Sequence, residues 1–364
     1  MDTLLLILGA LIAALWLLTR YLRGENLARY DSLPGHWQPT VREASAQHFE
    51  VVNELGALLG VATKGGGNMA APGKSRLATM RGLMDAMGND VDLTGITITP
   101  VDAGGVPAEW VMAEGCDPDR RLLYIHGGAW MMGSPQSHRH ITTRFARITG
   151  GAVLVIDYRL IPEHSRLACV EDCQTAYRWI LDHRPAGKAP VRQLMIAGDS
   201  AGGNLTLVTI AWARDQGLRP VDAAVALAPA TDGTMSSPSL LSNIATDHLI
   251  GPMFGSLAKI PRWLLLLGYA LRYGIRPANP LVSPAHHDLS RLPHTLIHVS
   301  EAEMLFDDAR RYVNKATLAG SPVSLESWPH MLHVWHFFEH KLPEAQEAFE
   351  HIERFLETTV PRGR

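Results

Sequence analysis

From residue 95 onward the chain repeats one pattern: a short apolar run rich in β-branched residues, then an amphipathic stretch. The runs are GITITPV (95–101), AEWVMAE (108–114), RLLYIHG (121–127), AVLVIDY (152–158), QLMIAGD (193–199), AAVALAP (223–229), TLIHVS (295–300) and VSLESW (323–328). From the third run on, most are separated by stretches with helical periodicity at 136–149, 166–184, 201–217, 303–319 and 337–358. Strands alternating with helices imply βαβ units, hence a mostly parallel sheet flanked by helices. The first two runs meet over a hairpin-sized connection containing DAGGVP, so an antiparallel hairpin is expected to open the sheet. The reading is an α/β fold with eight strands and no internal repeat.

Two regions break the rhythm. Residues 25–93 read as helices interrupted by LPGHWQP and by the glycine-rich TKGGGNMAAPGK. About sixty residues separate AAVALAP from TLIHVS, too many for a simple crossover. They contain KIPRWLLLLGYALRYGIRP, whose apolar core is too short to span a bilayer and suits a cap helix. Its basic flanks, Lys259, Arg262, Arg272 and Arg276, also suit a helix lying at a membrane surface. These breaks divide the chain into an N-terminal cap segment (25–93), an α/β core (94–230 and 284–364) and an inserted cap segment (231–283).

Residues 1–24 stand apart. Thr3 to Thr19 carries no charge and as a helix extends roughly 25 Å, close to a hydrocarbon core, with Arg20, Tyr21 and Arg23 to anchor its end. Neither a basic start nor a small-residue cleavage site is present, so a transmembrane anchor is expected rather than a signal peptide. Basic residues follow the segment, which places the bulk of the chain in the cytoplasm by the positive-inside rule. A formal net charge of −3 gives no polycationic surface and argues against a nucleic-acid partner. Three cysteines cannot build a disulfide framework; Cys169 and Cys173 share a helix face as buried thiols.

The sequence IAGDSAGGN (196–204) puts Ser200 on a strand-to-helix turn. Small residues at Gly198 and Gly202 allow the tight turn that exposes a serine hydroxyl, and a helix N-terminus there stabilises developing negative charge. Ser200 is therefore the candidate nucleophile. It needs an oxyanion hole and a base. IHGGAW (125–130) ends the third run, where Gly127 and Gly128 bring bare backbone amides close to a carbonyl oxygen, joined by the Ala201 amide at the turn. The base belongs on a loop after the last strand, where SWPHMLHVWHFFEH offers His330, His333, His336 and His340. No carboxylate or cysteine completes a metal set with these histidines and nothing else in the chain asks for an ion, so neither metal nor organic cofactor is expected.

HGGAW, DYRLIPEH, GDSAGG, NPLVSPAHHDLSRLPHTLIHVSEAEMLFDD and MLHVWHFF, in that order, resemble the hormone-sensitive-lipase-like branch of the α/β-hydrolase fold, the microbial family IV esterases. The likeness runs from roughly residue 95 to 358. By this resemblance Ser200 is the nucleophile and His333 the base, while Glu303, opening EMLFDD, is the acid that orients the imidazole. Asp307 and Asp308 remain as alternative acids and are read as helix-surface or structural. Most of the family has Asp at the position of Glu303, with proline and glycine where this chain has Met304 and His330. DYRLIPEH is expected to be structural, with Arg159 and Glu163 paired beneath the site.

The resemblance implies a serine carboxylesterase for lipophilic short- to medium-chain esters, lactones included, that needs no cofactor. The same triad also serves amidases and deacetylases. A receptor-like binding protein of this fold would lack the base. Related esterases often dimerise, which leaves the oligomeric state open.

Overall fold

The computed structural model of the chain describes residues 2–32, 35–64 and 74–362. The glycine-rich break expected at 63–74 falls largely on 65–73, outside the described residues. In chain order the strands are β1 (His36–Pro39), β2 (Ile96–Asp102), β3 (Pro107–Ala113), β4 (Asp117–Ile125), β5 (Gly151–Ile156), β6 (His183–Arg184), β7 (Gly187–Lys188), β8 (Gln193–Asp199), β9 (Ala223–Leu227), β10 (Thr295–Ser300) and β11 (Val323–Trp328). The helices are α1 (Asp2–Arg23), α2 (Ala46–Lys64), α3 (Lys74–Ala86), α4 (Arg139–Thr149), α5 (Arg166–Asp182), α6 (Ala201–Asp215), α7 (Ser239–Ser242), α8 (Ile250–Ala258), α9 (Arg262–Tyr273), α10 (Phe306–Leu318) and α11 (Pro343–Thr359).

Nine strands form one sheet in the order β1-β11-β10-β9-β8-β4-β5-β3-β2. Every pairing is parallel except the β2–β3 and β3–β5 pairs, so the antiparallel hairpin sits at one edge. Strand β5, GAVLVI, is buried throughout, as expected of a strand covered on both faces. Val153 and Val155 join Ile141 and Phe145 of α4 and Phe349 and Ile352 of α11 on one side. Leu154 and Ile156 join Cys173 and Tyr177 of α5, Leu205 of α6 and Tyr312 of α10 on the other. Burial of a side chain such as Phe145 contributes roughly 1.5–3 kcal/mol.

The sheet has one strand more than the eight expected. Strand β1 lies in the segment read as helical cap and pairs parallel with β11, Trp37 opposite Leu325. It is four exposed residues long and ends in Pro39, so no apolar alternation marks it; an edge position tolerates the proline. The same segment also reaches the core: Leu27 and Tyr30 belong to the larger apolar cluster, and Asp31 pairs with Arg311. Residues 27–32 and 35–39 thus clamp the sheet edge and α10, leaving α2 and α3 to approach the ends of the strands.

Among the described residues, one helix is long and apolar enough to cross a membrane by length and composition, covering residues 5–30 with its extension. Leu5, Leu6, Ile12, Trp16 and Leu17 are exposed on it. Helix α1 packs against α9, and the Arg276 guanidinium lies 5.0 Å above the Tyr21 ring.

Candidate active site

Strand β8 is buried from Leu194 to Asp199, and α6 begins at Ala201. Ser200 takes the junction with φ 52° and ψ −115°, a strained left-handed conformation for a residue with a Cβ. A close approach of backbone explains the flanking glycines. A Cβ on Gly202 would overlap the carbonyls of Ile125 and His126, and one on Gly198 would overlap the Ile125 and Gly202 carbonyls. The Ser200 N–H donates to Leu227 O at 2.7 Å, tying the turn to β9.

The loops after β10 and β11 meet this serine. Ser200 Oγ lies 2.9 Å from His333 Nε2, and His333 Nδ1 lies 3.0 Å from Glu303 Oε2. Glu303 is wholly buried, and its second oxygen has no partner among the described residues. Burial pushes the Glu303 carboxyl up to about 7, against the opposing pull of His333. Burial works to depress His333, but the Glu303 carboxylate prevails and holds the imidazole above its ordinary value. The two buried groups titrate as a pair: each one's charge favours the opposite charge on the other.

Two residues that sequence reasoning missed hold the acid loop. Buried Asp247 accepts from the Met304 N–H at 2.8 Å and from the amides of Leu249 and Ile250. Asn243 Nδ2 donates to the carbonyls of Glu301 and Glu303 at 2.8 and 3.0 Å. Both lie in the 231–283 insertion, where no sequence motif marked them.

The loop after β4 corrects one expectation. The Gly127 N–H is already committed, donating to Asp199 Oδ1 at 3.1 Å and approaching His138 Nε2 at 3.2 Å. A Cβ at Gly127 would strike the Asp199 carboxylate, so this glycine serves packing against the elbow. Gly128 and Ala129, with φ 106° and 54°, line the cavity beside Ser200 instead. With the Gly127 N–H bonded to Asp199, Gly128, Ala129 and Ala201, the last at the start of α6 where the first turn has no intrahelical acceptor, are left as the candidate donors. The HGGA order itself was the available signal, one residue further along. Burial opposes the charge on Asp199, but His138 and the Tyr124 hydroxyl, 2.7 Å away, hold the carboxyl below its ordinary value. That carboxylate pins the glycine loop to the elbow.

The other candidates have structural partners. Arg159 pairs with Asp172 and Glu171, and Glu163 pairs with Arg81 of α3, so the expected Arg159–Glu163 pair does not form. DYRLIPEH instead ties the N-terminal segment to the core, and its Tyr158 hydroxyl donates to His126 O at 2.9 Å. Asp308 is buried, not on a helix surface: it accepts from the Thr231 and Asp232 amides and from Ser237. Asp307 caps the start of α7 through the Ser239 N–H. His336 is buried against His298, His330 is exposed, and His340 stacks on His140. Cys169 and Cys173 are buried thiols.

Ser200 and His333 open onto a cavity of about 200 Å³. Its walls are apolar: Met80, Leu83 and Met84 from α3, Leu55 from α2, Met253 and Phe254 from α8, Phe337 and Phe338 from the short helical turn Trp335–Phe338, and Met87 and Met132 from loops. Methionines adapt to irregular apolar ligands. A cleft of about 990 Å³ between α1 and α9 is lined by Arg20, Arg23, Arg29 and Arg262 and shares no lining residue with the cavity at Ser200.

A family model described as an alpha/beta hydrolase fold matches residues 122–337. The chain is 40% identical over 265 residues to an acetyl-hydrolase of Streptomyces hygroscopicus, covering 72% of this chain and 83% of that one. It is 34% identical over 267 residues to the carboxylesterase/phospholipase LipF of Mycobacterium tuberculosis, covering 73% and 68%. A crystal structure of an esterase from the bacterial hormone-sensitive lipase family superposes with TM-score 0.74 at 34% identity, covering 88% of this chain and all of that one. The structure of EstE5 soaked with p-nitrophenyl butyrate gives TM-score 0.73 at 34% identity, covering 87% and 99%.

Proposed function

Because the chain belongs to the α/β-hydrolase fold family, among its hormone-sensitive-lipase-like esterases, we propose that Ser200, His333 and Glu303 carry out its carboxylic ester hydrolysis through an acyl-enzyme. The observation that carries this reading is the unbroken line from Ser200 Oγ to His333 to the buried Glu303, at 2.9 and 3.0 Å.

Neutral His333 accepts the Ser200 proton through Nε2 as Oγ attacks the ester carbonyl. The tetrahedral oxyanion takes hydrogen bonds from the amides of Gly128, Ala129 and Ala201, each such donor contributing about 10²–10³ in turnover. Imidazolium His333, stabilised by the Glu303 carboxylate, then protonates the leaving alcohol. Water repeats the sequence on the acyl-enzyme and regenerates Ser200. Residues 231–283, with α2 and α3, act as the cap: they supply the acyl-side wall and, through Asn243 and Asp247, steady the acid loop.

The apolar cavity supports short- to medium-chain acyl groups as substrate. In a series of p-nitrophenyl esters from acetate to laurate, kcat/KM is expected to rise about fourfold per methylene, the equivalent of ~0.8 kcal/mol each, until the cavity fills. Met84→Trp, which narrows the α3 wall, moves the optimum to shorter chains. A flat profile that Met84→Trp leaves unaltered would remove the cavity from acyl selection.

The N-terminal helix acts as a membrane anchor that holds the catalytic part on the cytoplasmic side. Its uncharged length, the exposed apolar residues of α1, and Trp263, Leu264 and Leu271 exposed on the adjoining α9 support this. The full chain is expected in the membrane fraction, released by detergent and not by high salt, with deletion of residues 2–24 rendering it soluble and active. Recovery of the full chain in the soluble fraction would overturn the anchor.

A further inference from the structure

Three residues far apart in the chain converge, each on a segment other than the ones that carry Ser200 and Glu303. Asp90 follows α3, His140 lies in the first turn of α4, and His340 follows the short helical turn Trp335–Phe338. One ligand atom from each lies within 4.8 Å of the other two. His140 Nε2 stands 3.1 Å from Asp90 Oδ1, and the rings of His140 and His340 stack with centroids 4.2 Å apart. We propose that Asp90, His140 and His340 bind a divalent transition-metal ion of the zinc class.

The donor set is two imidazoles and a carboxylate, the borderline nitrogen–oxygen combination that zinc accepts. Metal–ligand bonds of 2.0–2.2 Å in tetrahedral geometry put donors about 3.3–3.6 Å apart. The Asp90–His140 pair is already near that spacing. His340 and Asp90 are exposed, so rotation of one ring closes the third side while solvent keeps access and fills the fourth position. His140 is buried and supplies the fixed corner. A hydrogen bond with ring stacking alone would explain the pairwise contacts; it predicts no affinity for metal, which is what separates the two.

The position gives the site a consequence. Met87, three residues before Asp90, and Phe337 and Phe338, just before His340, all line the acyl cavity. An ion there would staple the segment after α3, which carries Met87, to the turn that follows His333. This holds whether or not Ser200 is the nucleophile, because binding is read without catalysis.

The test is a calorimetric titration of the chelator-stripped full chain with zinc chloride, paired with thermal unfolding. Wild type and the control His164→Ala, an exposed histidine elsewhere, are expected to bind one ion per chain and to gain thermal stability from it. Asp90→Asn and His340→Ala each remove an exposed ligand and are expected to weaken that binding at least tenfold and to lose the zinc-dependent shift. Zinc affinity that neither substitution alters, or no binding below 100-micromolar dissociation constants (~10⁻⁴ M), overturns the site.

Discussion

Ser200→Ala is expected to lower kcat for p-nitrophenyl butyrate by about 10⁴–10⁶-fold while leaving the fold intact. The oxyanion donors and the cavity survive the substitution, and donors and binding alone retain about 10³–10⁴ over the reaction in water. What disappears is the only hydroxyl within 2.9 Å of His333 Nε2 among the described residues. The stability side of the argument is equally definite. Ser200 makes no side-chain cap to α6, and alanine accepts the same backbone angles at the same strain. Unfolding midpoints of the two proteins should therefore agree within a few degrees, measured beside single-turnover rates. Wild-type-like turnover in a folded Ser200→Ala protein would end the account of Ser200 as nucleophile.

Glu303→Gln produces the second large effect, a loss in kcat of about 10³–10⁴-fold, by analogy with removal of the carboxylate from other triads. The amide is isosteric but cannot stabilise the imidazolium, and it favours the wrong imidazole tautomer. The pH profile separates this from a packing defect. In the parent enzyme the base is lost as pH falls and His333 takes up a proton, at a pH above the ordinary imidazole range because the Glu303 carboxylate favours the imidazolium. Its removal leaves burial to act alone. The acid limb of kcat should then move to lower pH even as the rate falls. Glu303→Asp, with the charge kept on a shorter arm, should recover part of the rate. A limb that stays in place after Glu303→Gln would assign the acid to another residue.

The parts legible in the sequence are those in which local pattern and tertiary role coincide. Strands β4, β5, β8 and β10 announced themselves as short apolar runs because both their faces are covered, and Ser200 because its turn demands small neighbours at Gly198 and Gly202. Strand β1 gave no such signal: its four residues are exposed and held by register with β11 and by the Trp37–Ser327 hydrogen bond at 2.8 Å. The oxyanion loop shows a subtler limit. Glycines at 127 and 128 both look capable of presenting amides, yet a carboxylate 72 positions away, Asp199, takes the first and moves the free pair on by one residue. Asp247 and Asn243 were invisible for the same reason, since their role lies in which backbone groups they meet across the fold. Arg159 and Glu163 share a motif but found partners on α5 and α3, where side-chain reach and not sequence proximity decides.

The central claim, a Ser200 acyl-enzyme pathway, is tested most directly by the site of covalent labelling. The full chain would be treated with one equivalent of an organophosphonate ester and its peptides analysed by mass spectrometry. The account predicts one adduct per chain, on the peptide containing Ser200, with hydrolysis lost in proportion to labelling and with His333→Ala slowing the labelling at least 100-fold (~10²). Complete labelling at another residue, or full activity in chains labelled at Ser200, would contradict it.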